Sequence, residues 1–216
     1  DKAHGLRFDA SGNVWITDVG NHTVRKFTHE AKLLLTLGKE GQPGDAPEQF
    51  DKPADVAFGP HGDLFVADGY GNSRVVKYSP EGKFVKAWGE KGTGDGEFNL
   101  VHAVVVDARG FVYVGDREND RVQVFDSDGK FHGKWTESGT PFGLFLDRHG
   151  KHFLLADGKA NRCAVLDLHG TVLETWGSQG KGPGQFDLPH SISMDTDGAV
   201  YVTEITGQRV QKFVRK

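Results

Sequence analysis

The stretch VYVGDRENDRVQVF at positions 112–125 decides the fold. It holds two short runs of alternating apolar residues, VYVGD and RVQVF, separated by a polar loop. Short alternating runs rich in Val, Phe and Tyr predict adjacent antiparallel β-strands. HAVVVD at 102–107 precedes this pair across a glycine turn, and FHGKWT at 131–136 follows it across another. The segment therefore predicts a four-stranded antiparallel meander.

The same layout recurs along the chain. Its first strands begin at His4, Ala54, His102, Phe142 and His190. A four-stranded meander repeated about every 40–50 residues is typical of β-propeller blades. We therefore predict an all-β fold, a single β-propeller domain over residues 1–216, in which the last repeat lacks its fourth strand. The repeats cover approximately residues 4–50, 51–98, 99–139, 140–186 and 187–216.

The number of blades is open at this stage. Five repeats close a five-bladed ring, or they form part of a six-bladed ring whose remainder lies outside this sequence. Histidine begins the first strand in the first, third and fifth repeats, and alternate blades of a six-bladed ring lie about 120° apart, which spaces three side chains evenly. The pattern favours six blades. The start at Asp1 rather than Met also suggests a processed or trimmed product.

Composition excludes several classes of protein. The 26 Lys and Arg residues against 30 Asp and Glu leave no basic excess for nucleic acid, so we expect no nucleic-acid partner. No apolar run is long enough to predict a membrane span. The 30 glycines fit hairpin turns better than disorder, because 37% of the residues are hydrophobic. The single cysteine, Cys163, excludes an internal disulfide and a cysteine-based zinc site.

Histidine is the remaining candidate metal ligand. Equivalent positions on innermost strands surround one axis, so His4, His102 and His190 are predicted to converge. Three protein ligands with one open position is the arrangement of a catalytic zinc. The alternative is three unrelated histidines that line the channel.

The loops after each second strand lie beside this cluster, because the second strand runs antiparallel to the first. Tyr70 and Arg117 are the most distinctive side chains in them. A tyrosine acts as a general base when a nearby cation lowers its pKa, and an arginine can hold a carboxylate. Surface packing is the alternative for both residues. His22, in the first of these loops, is a further candidate for orienting a ligand or contacting substrate.

Two recurring features predict structure rather than chemistry. An acidic residue ends each second strand, and an arginine follows it in four repeats, which predicts ion pairs that pin the loops. Tryptophans in the fourth strands predict packing between blades. The acidic residues are Asp18, Asp68, Asp116, Asp157 and Glu204, and the tryptophans are Trp88, Trp135 and Trp176.

These segments resemble the NHL-repeat family, through VYVGDRENDRVQVF at 112–125 and GKGPGQFDLPH at 180–190. Over essentially the whole chain they are more similar to the peptidyl-α-hydroxyglycine α-amidating lyases, which are six-bladed propellers. The matching stretches are HGLRFDASGNVWITDVGNH at 4–22, the segment 53–90, DREND at 116–120 and FDLPHS at 186–191. That family cleaves a C-terminal α-hydroxyglycine to a peptide amide and glyoxylate.

The resemblance implies a zinc held by His4, His102 and His190. It also implies that Tyr70 is the catalytic tyrosine and that Arg117 lies on the active-site face. A channel calcium would take the backbone carbonyl of Leu6.

The chain departs from the family pattern at several positions. Ser191 stands where the family has a calcium-binding aspartate, and a neutral serine does not supply the charge that calcium prefers. Leu188 replaces a methionine, and no residue corresponds to the substrate-binding arginine upstream of the first zinc histidine. Gly71 stands where animal members have a disulfide cysteine, which suits a bacterial relative. A secreted or periplasmic location is the weakly favoured expectation.

The sequence leaves three functions open. The first is a zinc-dependent amidating-lyase-like enzyme acting on a small peptide or other small molecule. The second is a non-catalytic NHL propeller that binds a protein or ligand on its rim. The third is another propeller hydrolase or lyase with the same metal, because propellers host many functions.

Overall fold

The computed structural model describes residues 2–214 and is built of β-strands joined by turns, with one short 3₁₀ helix at Arg117–Asn119. The first sheet contains β1 (Ala3–Phe8), β2 (Val14–Asp18), β3 (Thr23–Phe27) and β4 (Leu33–Leu37). The second contains β5 (Asp55–Phe58), β6 (Leu64–Asp68), β7 (Arg74–Tyr78) and β8 (Phe84–Trp88). The third contains β9 (Val101–Val106), β10 (Val112–Asp116), β11 (Arg121–Phe125) and β12 (Phe131–Trp135).

The fourth and fifth sheets continue the series. The fourth contains β13 (Pro141–Leu146), β14 (Phe153–Asp157), β15 (Arg162–Leu166) and β16 (Val172–Trp176). The fifth contains β17 (Pro189–Met194), β18 (Val200–Glu204) and β19 (Arg209–Phe213). Strands consecutive in sequence are neighbours in every sheet. The predicted all-β propeller class with four-stranded antiparallel blades is confirmed, and the last sheet has three strands within the described residues.

The expectation of six blades is not met: residues 2–214 form five sheets. Each repeat of about 46 residues folds into one sheet, so five repeats yield five sheets. The argument for six rested on histidines in alternate repeats. That pattern shows which repeats have a histidine at this position. It does not determine the number of blades.

Contacts divide the chain into two compact units. The first runs to Val114 and includes Val124–His132; the second comprises Gly115–Gln123 and the residues from Gly133 onward. One core cluster of the first unit contains the buried side chains of Phe65, Val75 and Phe98. A core cluster of the second unit contains those of Phe186 and Ile192. Among residues 2–214, no helix is long and apolar enough to cross a membrane.

The predicted acid–arginine pairs are present at the ends of the second strands. The N–O distances are 2.8 Å for Arg74–Asp68, 2.8 Å for Arg121–Asp116, 3.1 Å for Arg162–Asp157 and 2.6 Å for Arg209–Glu204. Burial raises the pKa of Asp68, although hydrogen bonds from Asn72 and Arg74 oppose the shift. These pairs hold the loops that carry the candidate site residues.

The fourth-strand tryptophans pack on the following blade, as predicted. The Trp88 ring lies 5.9 Å from the Phe125 ring, and the Trp176 ring lies 6.1 Å from the Phe213 ring. Gly129 adopts a φ of 76° in the turn that covers Trp88, where a Cβ atom would come within 2.7 Å of the indole.

Candidate active site

The first unit brings together three of the residues predicted to carry chemistry. The Tyr70 hydroxyl lies 3.1 Å from Nε2 of His4 and 2.9 Å from Nε2 of His102. His102 is buried and His4 is half-buried. Two imidazole nitrogens that converge on one hydroxyl form a compact polar centre.

The protonation of His4 follows from its second nitrogen. Nδ1 lies 2.8 Å from the carbonyl oxygen of Ala54. A carbonyl oxygen only accepts, so Nδ1 carries the proton and donates it. In neutral His4 the lone pair is therefore on Nε2, the nitrogen that faces Tyr70. A backbone carbonyl that orients an imidazole in this way is the usual support of a metal-binding histidine.

The hydroxyl of Tyr70 has one proton to donate, and this determines the rest of the network. It donates to Nε2 of neutral His4, so its oxygen accepts from Nε2–H of His102. A metal ion bound by both Nε2 atoms would require neutral His102 to carry its proton on Nδ1 instead, a change of tautomer that releases no proton.

A β-bulge turns His4 out of regular strand geometry. The pairing of β1 with β2 shifts between Ala3 and Leu6, which places His4 and Gly5 in the irregular segment. Bulges next to functional sites re-aim side chains in this way. At Gly5 a Cβ atom would lie 2.7 Å from the Ala54 carbonyl oxygen and 2.9 Å from Oγ1 of Thr17. The approach of β1 to Ala54 therefore requires glycine at this position.

Thr17 completes the support of His4. Its buried hydroxyl donates to the Ala54 carbonyl oxygen at 2.9 Å and accepts the Gly5 N–H at 2.7 Å. Sequence reasoning missed Ala54, Thr17 and Gly5. Only the glycine directly after His4 could have indicated this support, because the acceptor is a backbone atom of any residue type.

The second unit contains His190 and Arg117. The pairing of β17 with β18 shifts between Pro189 and Ser191, so a bulge also contains His190. Its ring lies 5.9 Å from the ring of Phe142, edge to face. The Arg117 guanidinium lies 4.7 Å from the centre of the same Phe142 ring and donates from Nε to Glu118 at 2.8 Å. Phe142 thus links two predicted site residues within this unit.

The remaining candidates each make a backbone contact; they are His22, Leu6 and Ser191. Nδ1 of His22 accepts the Lys52 N–H at 3.1 Å. Leu6 is paired with Ile16 in the sheet. At Ser191 the backbone N–H donates to the Thr203 hydroxyl at 3.2 Å, and position 191 supplies no carboxylate.

A cleft of about 570 Å³ opens beside Tyr70 in the first unit. Tyr70, Trp88 and Leu100 contribute apolar surface to its wall, and Asn72 and Lys91 contribute polar groups. Tyr70 belongs to both the lining of this cleft and the histidine centre.

Comparison with known proteins identifies relatives of the whole described fold. The NHL repeat model matches residues 1–27, 50–78 and 98–125. NHL repeat-containing protein 3 of Homo sapiens is 38% identical, over 99% of this chain and 67% of that protein. Peptidyl-glycine alpha-amidating monooxygenase B of Xenopus laevis is 36% identical, over 97% of this chain and 26% of that protein. Peptidyl-alpha-hydroxyglycine alpha-amidating lyase 1 of Drosophila melanogaster is 34% identical, over 99% of this chain and 44% of that protein.

The chain thus spans about a quarter of the length of the Xenopus amidating monooxygenase. Among solved structures, a streptogramin B lyase matches with a TM-score of 0.68 at 16% identity, over 98% of this chain and 68% of that chain. A chain of a nidogen/laminin complex matches with a TM-score of 0.71 at 17% identity, over 97% of this chain and 74% of that chain. Both likenesses show the fold alone, and one is to an enzyme while the other is to a protein complex.

Proposed function

The chain belongs to the NHL-repeat family, and from this premise we propose that it is a zinc-dependent carbon–nitrogen lyase. The proposed substrate is a peptide that ends in α-hydroxyglycine, and the products are the peptide amide and glyoxylate. Relatives named as amidating lyase or amidating monooxygenase, at 34% and 36% identity, support a lyase-like function. The observation that carries the proposal is the Tyr70 hydroxyl within 3.1 Å of the Nε2 atoms of two histidines.

The proposed zinc ligands are His4, His102 and His190. The donor set fits the metal because His4 already donates its Nδ1 proton to Ala54 and leaves Nε2 unprotonated. His190 occupies the same register in its repeat, within a bulge like that of His4. When bound, zinc would act as a Lewis acid that polarises the substrate hydroxyl.

Tyr70 is the proposed proton-transfer group. In the reaction the hydroxyl of α-hydroxyglycine loses its proton, the bond between its carbon and the amide nitrogen breaks, and the nitrogen gains a proton. One group that accepts and returns a proton balances these steps. Tyr70 has the necessary hydroxyl beside two imidazoles, and the residue is part of the lining of a cleft.

Arg117 is the proposed partner of the substrate carboxylate. A guanidinium binds a carboxylate through two parallel hydrogen bonds. The Phe142 ring beneath Arg117 and the Glu118 carboxylate restrict its orientation. Calcium is not part of the proposal. Position 191 is a neutral serine, which does not fit a hard cation that prefers carboxylates.

A non-catalytic scaffold is the alternative function. It is favoured by NHL repeat-containing protein 3, which this chain matches at 38% identity over 67% of that protein. In that case the His4–Tyr70–His102 network would stabilise the fold, and a partner would bind at the rim.

Glyoxylate release from a synthetic peptide ending in α-hydroxyglycine separates the two functions. The assay compares the zinc-loaded chain, the zinc-free chain and the zinc-loaded Tyr70→Phe variant. We expect release only from the zinc-loaded wild-type chain, with at least a roughly hundredfold lower rate for Tyr70→Phe because the proton-transfer group is gone. Equal zinc content in wild type and variant is the control. No release above the uncatalysed rate, or full activity of Tyr70→Phe, would contradict the proposal.

A further inference from the structure

Two consecutive residues before β5 are held to the loop that carries Tyr70. The Asp51 carbonyl accepts the Gly71 N–H at 2.9 Å, and the Lys52 carbonyl accepts the Tyr70 N–H at 3.4 Å. The Lys52 N–H in turn donates to Nδ1 of His22 at 3.1 Å. A continuous chain of hydrogen bonds therefore runs from the His22 imidazole through Lys52 to the Tyr70 backbone.

The geometry of His22 is unusual and specific. Its φ is 59°, and its side chain is 12% exposed. Because Nδ1 accepts a backbone N–H, the ring carries its proton on Nε2 when neutral. Nδ1 also lies 3.3 Å from the Asp51 carboxylate. Lys52 itself has a φ of 60°, a conformation that a lysine rarely adopts, so surrounding bonds must hold it.

The second unit contains the same arrangement with different side chains. Asn161, with a φ of 52°, accepts the Leu188 N–H at 2.8 Å. The Leu188 carbonyl accepts the Ile205 N–H at 3.1 Å, and the Asp187 carbonyl accepts the Gly207 N–H at 3.0 Å. A similar hydrogen-bond pattern thus occurs in the second and fifth repeats, and in the fifth an asparagine serves as its acceptor. In the first unit the held residue is Tyr70 instead of Ile205.

We propose that His22 is a positioning residue that fixes the Tyr70 hydroxyl through Lys52. This inference rests on the proposed function, because it treats Tyr70 as the proton-transfer group. The hydrogen bond from the Tyr70 N–H to the Lys52 carbonyl is long, at 3.4 Å, and a long bond is easily lost. The position of the Tyr70 backbone therefore depends on how firmly Lys52 is held. A small displacement of a reacting group lowers the rate strongly without changing substrate affinity.

Two substitutions at position 22 distinguish the effect of losing the hydrogen-bond acceptor from the effect of the positive φ. His22→Gly removes the acceptor and tolerates positive φ. His22→Asn keeps an acceptor near the position of Nδ1 and also tolerates positive φ, as Asn161 does. We expect His22→Gly to lower kcat roughly tenfold to a hundredfold with KM nearly unchanged, and His22→Asn to stay within about twofold of wild type.

Two controls test whether the effect passes through Tyr70. Added to Tyr70→Phe, His22→Gly should lower kcat no further, because residues that act as a unit are not additive. Asn161→Gly removes the equivalent acceptor in the second unit and should leave the hydrogen exchange of the Tyr70 amide unchanged. A normal kcat in His22→Gly, or an equal loss in His22→Asn, would overturn the proposal.

Amide hydrogen exchange tests the same contact independently of activity. In His22→Gly the Lys52, Tyr70 and Gly71 amides should exchange at least about tenfold faster than in wild type, while His22→Asn should retain their protection. If the wild-type chain releases no glyoxylate, the proposed function fails. Hydrogen exchange then tests the hydrogen-bond chain from His22 through Lys52 to Tyr70 on its own. Unchanged exchange at Tyr70 in His22→Gly would overturn it.

Discussion

At the scale of single residues, the support of His4 explains why a histidine here is a plausible metal ligand. The Ala54 carbonyl accepts hydrogen bonds from both His4 and Thr17. Gly5 permits this approach because it has no Cβ atom. The histidines could be identified from their register in the repeats. The support could not, because it depends on a backbone oxygen brought close by tertiary packing.

Gly5→Ala tests this support. The added methyl group would lie 2.7 Å from the Ala54 oxygen, so β1 must shift and the His4 ring must turn. We expect zinc affinity to fall about tenfold to a hundredfold, as when the orienting partner of a ligand is lost. Titration with zinc measures the effect. Gly133→Ala is the matched control, because nothing lies within 4 Å of its Cβ position; equal affinities in the two variants would refute the role of Gly5.

At the scale of strands and loops, the ion pairs at the ends of the second strands could be predicted from the sequence. An acidic residue and an arginine recur five or six residues apart, and the ion pairs form in four sheets. The bulges that contain His4 and His190 were not predictable. They depend on how an inner strand meets its neighbour, and alternation of apolar residues gives no sign of one extra residue.

The depth of each ion pair predicts its contribution to stability. The Arg121 and Asp116 side chains are 5% and 0% exposed, whereas Arg162 is 38% exposed. Replacing Arg121 removes a buried cation and leaves the Asp116 charge in a site closed to water, so Arg121→Met should lower the free energy of unfolding by about 3–5 kcal/mol. Asp157 is also buried, at 3% exposed, but its partner Arg162 is partly hydrated, so the ion pair lost there is weaker. Arg162→Met should cost clearly less. Chemical denaturation measures both, and equal losses would contradict this ranking.

Asp9 predicts sensitivity to acid in the first sheet. Burial opposes its ionisation, but hydrogen bonds from Trp15, Asn13 and Lys26 outweigh burial and hold the pKa of Asp9 well below its usual range. A depressed native pKa contributes stability that is present above the unfolded pKa of about 3.9 and is lost as pH falls below it. Asp9→Asn should lower the free energy of unfolding at pH 7 by about 1.5–3 kcal/mol and flatten its decline toward pH 3. An equally steep decline in the variant would show that other groups cause it.

At the scale of the whole molecule, the repeat predicted the class of fold and the assignment of strands to sheets. Glycine turns and alternating strands are local signals, and each sheet forms from strands that are consecutive in the sequence. The prediction of six blades was wrong for residues 2–214 because it used three histidines to infer a property of the ring. The assignment of one domain to residues 1–216 stays a prediction.

The choice between enzyme and scaffold also belongs to this scale, because a fold alone does not determine function. The relatives include proteins named as lyases and a protein named only for its repeats. Under the proposed function, a small number of side chains from different repeats would separate the two. Tyr70 and His102 are 32 residues apart in sequence, yet their hydrogen-bonding atoms lie 2.9 Å apart.

The zinc content of the purified chain tests the central claim most directly. The account predicts about one zinc per chain for wild type after loading and dialysis, measured by mass spectrometry of the metal. His4→Ala, His102→Ala and His190→Ala should each lose most of this zinc, while His132→Ala should retain it. A wild-type chain that binds no zinc, or a triple variant at positions 4, 102 and 190 that still binds it, would contradict the account.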